Sequence, residues 1–92
     1  MWFMYVVKCS DDTLYTGITT DVHRRLHEHN HTKRGARYTR SRRPVSLVCT
    51  FVCDNRSQAL QSEWRFKQLT RPQKDHAISE RIFELLNLNP GM

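Results

Sequence analysis

The apolar residues of the chain fall into three extended runs that predict strands. Residues 2–7 are aromatic and β-branched without polar alternation, which is typical of a strand covered on both faces. Turn-forming residues at 10–12 separate this run from a second one at 13–18, so the two runs predict a hairpin. The third run, at 45–53, predicts the remaining strand.

Between the second and third runs the pattern is first helical and then irregular. Asp21 is placed to cap a helix over residues 22–30. Residues 31–43 contain Gly35 and are followed by Pro44, which predicts a loop with one helical turn near Ala36. At helical spacing, the inward stripe of the capped helix consists of Val22, Leu26 and His29.

Helical patterns also follow the third strand. We expect a helix over 57–69 and, from the capping box formed by Thr70 and Gln73, another over 70–79. A last amphipathic piece covers 82–88. The order ββαβαα predicts an α+β fold, a small three-stranded antiparallel sheet flanked by helices.

Length and cysteine content restrict the class of protein. Ninety-two residues are expected to form one domain, 1–92, with no second domain for sequence-specific binding. The longest apolar run, 1–7, is about a third of a membrane span and lacks a basic leader, so we expect neither insertion nor secretion. Three cysteines argue against a disulfide scaffold and favour a reducing, cytoplasmic or nuclear, location.

The charge is positive and concentrated in one segment. Fifteen Lys and Arg residues outnumber nine Asp and Glu, for a net charge of +6. Eight of the fifteen lie between Arg24 and Arg43, where Glu28 is the single acid. A solvated protein face normally mixes both signs, so this segment favours a nucleic-acid partner.

Glu63 breaks the pattern of the predicted helix 57–69. At 100° per residue the apolar residues of that helix span one arc, and Glu63 falls near its middle. A carboxylate on a buried stripe is costly unless a cation, hydrogen-bond donors or a metal balance it. Two explanations stay open: an internal ion pair, for example with Lys67, or a hard oxygen ligand for Mg²⁺ or Mn²⁺.

The same geometry separates two neighbouring arginines. Arg25 and His29 are one turn apart and border the apolar stripe, whereas Arg24, His27 and Glu28 are predicted to point away from it. We therefore expect Arg25 at a cleft between helix and sheet and Arg24 in solvent or near a phosphate. His29 is equally compatible with a satisfied boundary histidine and with proton transfer or phosphate contact.

Tyr5 and Tyr15 lie on the two strands of the predicted hairpin. A strand tyrosine is usually a packing residue, but Gly17 nearby indicates a bulge or a close approach. The two tyrosines share a face only if the hairpin loop has an odd residue count or a bulge.

Together these residues resemble the GIY-YIG endonucleases. Phe3-Met4-Tyr5 stands where the family has Gly-Ile-Tyr, and Tyr15-Thr16-Gly17 and Arg25 follow at ten-residue steps, with Glu63 on a later helix. Residues 33–39 are similar to the KGA-x-YT loop of short stand-alone members, with one extra residue after the lysine. The likeness covers about residues 2–76.

The resemblance implies hydrolysis of DNA phosphodiesters with a divalent metal, in repair, recombination or processing. Carried over by position, the catalytic residues are Tyr5, Tyr15, Arg25, His29 and Glu63, and Glu63 holds one Mg²⁺ or Mn²⁺. We favour Tyr5 as the general base and Tyr15 as a positioning group for phosphate or water.

We expect DNA, duplex or branched, as the partner, with RNA left open and the oligomeric state undetermined. The residues predicted to contact nucleic acid are Arg24, Lys33, Arg34, Arg37, Tyr38, Arg40, Arg42, Arg43 and Lys67. The rival hypothesis is a catalytically inactive nucleic-acid-binding module with the same fold. A third is an interaction domain that docks through the apolar residues of 82–88.

Overall fold

Residues 1–80, which the computed structural model describes, form three strands and four helices. In chain order these are β1 (Trp2–Lys8), β2 (Leu14–Thr19), α1 (Val22–His31), α2 (Arg37–Arg40), β3 (Ser46–Cys53), α3 (Arg56–Lys67) and α4 (Arg71–Glu80). The predicted piece at 82–88 lies outside the described residues. Each helix within residues 1–80 is too short or too polar to cross a bilayer.

The strands form one antiparallel sheet in the order β2-β1-β3. Because β1 is central and covered on both faces, it has no polar face, as its apolar sequence indicates. The predicted α+β fold and the order ββαβαα are confirmed, and the short α2 is the helical turn expected near Ala36.

The side chains of β1 alternate between two cores. Met4 and Val6 face α3 and α4, where Phe51, Phe66 and Ala77 complete one buried cluster. On the other face, Tyr5 and Val7 pack with Cys9 and Val45, and Leu26 of α1 and Tyr15 border this second cluster. The second core, under α1, is therefore the one that contains the predicted catalytic tyrosines.

The predicted starts of α1 and α4 are confirmed by their caps, whereas α3 begins at Arg56, one residue before its predicted start, and is capped by Asn55. Asp21 Oδ1 accepts a hydrogen bond of 3.0 Å from the backbone N–H of Arg24. The N–H of Thr70 donates to Oε1 of Gln73 at 2.9 Å, and the N–H of Gln73 donates back to the Thr70 hydroxyl oxygen at 3.3 Å, which is the reciprocal capping box.

The face predicted for α3 is wrong. Its buried residues are Ala59, Ser62 and Phe66, whereas Trp64 is 64 % exposed and Leu60 is exposed as well. The Ser62 hydroxyl donates to the carbonyl of Gln58 at 2.9 Å, so a polar residue is accommodated in the buried row. The buried row therefore lies on one side of Glu63, which stands at its border rather than on its midline.

Arg43 holds the segment after α1 against that helix. Its guanidinium donates to the carbonyl oxygens of His29, Glu28 and Thr32, in the last turn of α1 and just beyond it. The last carbonyls of a helix commonly need partners from outside it, and Arg43 supplies them here, although the Glu28 carbonyl also accepts from the Thr32 N–H at 3.2 Å. Gly35 permits the close packing, because a Cβ there would lie 2.7 Å from the Glu28 carbonyl oxygen.

Candidate active site

The strand register places Tyr5 and Tyr15 on the same face of the sheet. Tyr5 pairs with Gly17, and Tyr15 pairs with Val7, two residues along β1 from Tyr5. The loop between β1 and β2 covers residues 9–13, an odd count, so the condition set by strand alternation is met.

Gly17 makes room for the phenol of Tyr5. A Cβ at position 17 would lie 2.5 Å from the Tyr5 hydroxyl oxygen and 2.8 Å from the ring carbon that bears it. Any side chain at position 17 would displace the Tyr5 phenol from its hydrogen-bond partner on α1, His29. The glycine is thus required by the path of Tyr5 across β2 and not by a turn.

The partner of Tyr5 is His29, which is fully buried. Oη of Tyr5 lies 2.6 Å from Nε2 of His29, and Nδ1 of His29 lies 2.9 Å from Oγ1 of Thr39. Since the Thr39 hydroxyl donates to the Ala36 carbonyl at 2.8 Å, we assign the proton of His29 to Nδ1, donating to Thr39. The Ala36 N–H also donates towards Nδ1, at the longer distance of 3.3 Å, and this bond would belong to the other tautomer. With His29 protonated at Nδ1, Nε2 accepts the proton of Tyr5.

Burial fixes the protonation states of this pair. Loss of solvent raises the pKa of Tyr5 to about 12, against the opposing effect of the Arg25 guanidinium. Loss of solvent, reinforced by Arg25, lowers the pKa of His29 to about 4. At neutral pH the site therefore contains a protonated phenol next to a neutral imidazole.

Arg25 lies at the edge of this hydrogen-bonded pair. Its side chain is 24 % exposed, against 56 % for Arg24, as the helical projection predicts. Nη1 donates to Oε1 of Glu28 at 2.9 Å and to the Arg34 carbonyl at 2.7 Å. Its positive charge lowers the pKa of both tyrosines, against burial, which raises them.

The expected orientation of Glu28 is wrong. Helical spacing predicts Glu28 on the outer face of α1, but its side chain is 15 % exposed because it turns back to pair with Arg25. Arg25 is thereby held in place at the cleft. The lowered pKa of Glu28 has the same origin, its hydrogen bond from Arg25.

Glu63 approaches the two tyrosines from α3. Its carboxylate is close enough to raise the pKa of both Tyr5 and Tyr15, and its side chain is 21 % exposed. Oε2 lies 3.6 Å from Nζ of Lys67, which is an ion pair without a short hydrogen bond. The two explanations for Glu63 are therefore compatible: it is paired with a cation, and it faces the site.

The donor set suits a hard divalent cation. Among residues 1–80, no group of three or more His, Cys, Asp or Glu is gathered to hold a metal. Glu63 thus offers one carboxylate, and water and substrate phosphate would complete the coordination. That pattern is typical of Mg²⁺, which commonly uses one or two carboxylates.

The predicted nucleic-acid residues divide into two groups. Arg24, Lys33, Arg34, Arg37, Tyr38, Arg40 and Lys67 are exposed. The side chains of Arg42 and Arg43 are half-buried and engaged within the protein. Arg42 lies 3.9 Å above the ring of Tyr38 and donates from Nε to Oδ2 of Asp11 at 3.0 Å, and Arg43 is held on α1. Fewer cations are therefore available to a ligand than the sequence suggests.

A cleft of about 240 Å³ adjoins the site on the side of α3 and α4. It lies beside Tyr15, whose ring stacks on that of Tyr38 with centroids 6.0 Å apart. Two ammonium groups reach it from the helices. Its lining residues are Leu14, Tyr15, Thr16, Tyr38, Lys67 and Lys74.

Sequence reasoning missed two residues of this region. Thr39 lies in the KGA-x-YT-like loop, so the sequence does carry a signal for it. Its role, however, depends on its contact with His29. Lys74 gives no sequence signal, because its place beside Lys67 depends on how α4 packs against the sheet.

Comparisons with known proteins identify the family of the chain. The family described as GIY-YIG catalytic domain matches residues 1–76. A UPF0213 protein of Desulfotalea psychrophila is 56 % identical over 87 residues, covering 92 % of this chain and 79 % of the relative. A UPF0213 protein of Halobacterium salinarum is 53 % identical over 75 residues, covering 82 % of this chain and 96 % of the relative.

A solved structure also matches. The solution NMR structure of a UPF0213 protein from Bacillus halodurans has a TM-score of 0.56 and 39 % identity to this chain. The alignment covers 86 % of this chain and 84 % of that one. The chain therefore belongs to the GIY-YIG catalytic domain family, an endonuclease superfamily, and its relatives are short UPF0213 proteins.

Proposed function

We propose that this protein is a divalent-metal-dependent endonuclease that hydrolyses DNA phosphodiester bonds with weak sequence specificity, in DNA repair, recombination or processing. The observation that carries the proposal is the convergence of Tyr5, Tyr15, Arg25 and Glu63 around the hydrogen bond from Tyr5 to His29. An exposed basic segment contacts these residues, through the hydrogen bond from Arg25 to the Arg34 carbonyl and the stacking of Tyr38 on Tyr15.

Arg25 binds the scissile phosphate. Hydrolysis concentrates negative charge on the phosphorus oxygens, and a guanidinium is always protonated and matches two oxygens at once. Its hydrogen bonds to Glu28 and to the Arg34 carbonyl fix its position, so little reorganisation accompanies the reaction.

Tyr5 acts as general base with His29 as the proton acceptor behind it. The phenol takes a proton from the attacking water as it passes its own proton to Nε2 of His29, 2.6 Å away. Arg25 lowers the pKa of His29, so a phosphate anion bound to Arg25 offsets that effect and favours the imidazolium. Tyr15, on the same face, positions the water or the phosphate.

Glu63 would hold the metal ion. When bound there, Mg²⁺ or Mn²⁺ supplies the positive charge that stabilises the phosphorus oxygens and the leaving 3′ oxygen. Lys67, paired with Glu63 at 3.6 Å, orients the carboxylate and is itself within reach of a phosphate.

The rival function, a non-catalytic nucleic-acid-binding module, uses the same fold and the same basic surface. It predicts binding without cleavage. Incubation of purified protein with supercoiled plasmid and with branched DNA separates the two functions, because nicking that needs Mg²⁺ or Mn²⁺ and stops with EDTA requires a catalytic site.

Substitution of the candidate metal ligand gives the most direct test. Glu63→Gln is expected to lower plasmid nicking by at least about 10²-fold, because one transition-state contact contributes that much, while DNA affinity is kept or increased. Asp54→Asn, which removes an exposed carboxylate just before α3, should nick like the wild type. Nicking retained by Glu63→Gln would exclude Glu63 as the metal ligand.

The two neighbouring arginines should differ in the same assay. Arg25→Ala is expected to lower nicking by at least about 10²-fold, because it removes a contact to transition-state charge. Arg24→Ala should cost less than about tenfold, because an exposed charge contributes at most about 1 kcal/mol. Circular dichroism would check that both variants are folded, and equal losses of activity would refute the assignment of Arg25.

DNA affinity should depend on the exposed arm and not on Arg43. Neutralising Lys33, Arg34, Arg37 and Arg40 together should reduce the slope of log affinity against log salt by roughly one for each phosphate that is no longer bound. Arg43→Ala should leave that slope unchanged and lower the urea midpoint of unfolding, since its side chain binds α1 carbonyls. An unchanged slope in the fourfold variant, with a reduced slope in Arg43→Ala, would place the DNA-binding surface elsewhere.

The buried imidazole predicts a defined pH dependence of stability. The pKa of His29 is about 4 in the folded state, below its ordinary 6.5, so the unfolded chain binds the extra proton first. The contribution, up to about 3 kcal/mol, is complete above about pH 6.5 and is lost as the pH falls towards 4. The free energy of unfolding in urea, measured for wild type and His29→Gln between pH 7 and 4, tests this contribution. A difference between the two proteins that stays constant with pH would contradict the prediction.

A further inference from the structure

Three histidines of α1 take no part in the candidate active site. His23, His27 and His31 follow each other at four-residue intervals, so they form one row along the helix. All three are exposed. His29, two residues from His27 and His31, projects to the opposite side of α1 and is buried against the sheet.

The rings of His27 and His31 are already close together. Their centroids are 4.8 Å apart and their planes are inclined by 36°. When two histidines lie one helical turn apart on the same face, a helix can bind Zn²⁺ with both imidazoles. Such a pair can direct one ring nitrogen each to a shared ion without a change in the backbone.

We infer that His27 and His31 form a binding site for a borderline transition-metal dication, Zn²⁺ or Cu²⁺, on the outer face of α1. Imidazole nitrogen suits these ions, whereas Mg²⁺ prefers oxygen ligands. No third His, Cys, Asp or Glu among residues 1–80 joins the pair in a compact group. The ion therefore has two protein ligands, and its remaining positions hold water.

The position of the pair gives the site a structural effect. His31 is the last residue of α1, and the exposed basic segment begins at Lys33. An ion that bridges one turn holds the end of the helix, where a positive charge is also favourable to the helix dipole. Binding to the folded chain then stabilises it increasingly as the ion concentration rises.

The test is a calorimetric titration of tag-free protein with Zn²⁺. We expect one equivalent to bind to the wild type, and with the same affinity to Glu63→Gln, because the two sites use different donors. His27→Gln and His31→Gln should each weaken binding by at least about tenfold, since even indirect partners of metal ligands contribute that much. His23→Gln, one turn away on the same row, is the matched control and should bind like the wild type.

Each result decides the proposal. Unchanged Zn²⁺ affinity in His27→Gln or in His31→Gln overturns it, and an equal loss in His23→Gln overturns the two-ligand assignment. Cu²⁺ provides a second measurement, because its paramagnetism should broaden amide NMR signals around residues 27–31 first; broadening centred elsewhere refutes the site. Neither measurement depends on nuclease activity, so failure of the proposed function would leave this inference standing.

Discussion

The hydrogen bond between Tyr5 and His29 connects the two elements on which the candidate site depends, the central strand β1 and helix α1. Tyr5 belongs to the central strand and His29 to α1, and the bond joins them inside the second core at 2.6 Å. A polar pair in such a place is stable only when every donor and acceptor has a partner. Thr39 provides the remaining partner for His29, and within residues 1–80 no buried side-chain nitrogen or oxygen is left unsatisfied.

Opposite charges are arranged around this bond from two different helices. Arg25 comes from α1 and is held by Glu28, whereas Glu63 comes from α3 and is paired with Lys67. The two helices belong to different sides of the sheet, so the guanidinium and the carboxylate approach the phenols from separate directions. A phosphate would match that separation, because one oxygen could contact the guanidinium on α1 while another contacted an ion that Glu63 would hold.

Much of this arrangement follows from local patterns in the sequence, and the rest depends on tertiary contacts. Strand alternation with an odd loop is sufficient to put Tyr5 and Tyr15 on one face, and helical spacing distinguishes Arg25 from Arg24. The orientation of α3 could not be obtained this way, because Ser62 is buried through a bond to its own helix while Trp64 is exposed. Likewise, charge alone predicts that Arg43 contacts nucleic acid. Its hydrogen bonds to three carbonyls in and just beyond α1 follow only from the packing of the loop on that helix.

The enclosure of His29 limits the donor atoms that are available at the candidate centre. Both of its ring nitrogens are occupied within the protein, so the imidazole offers no lone pair to a metal near Glu63. A site that offers a carboxylate and no nitrogen or sulfur donor has little preference for soft ions. The two proposed ion sites thus differ in their donor atoms: a carboxylate oxygen of Glu63 on α3 would hold a hard ion, and imidazole nitrogens on the outer face of α1 would hold a borderline one.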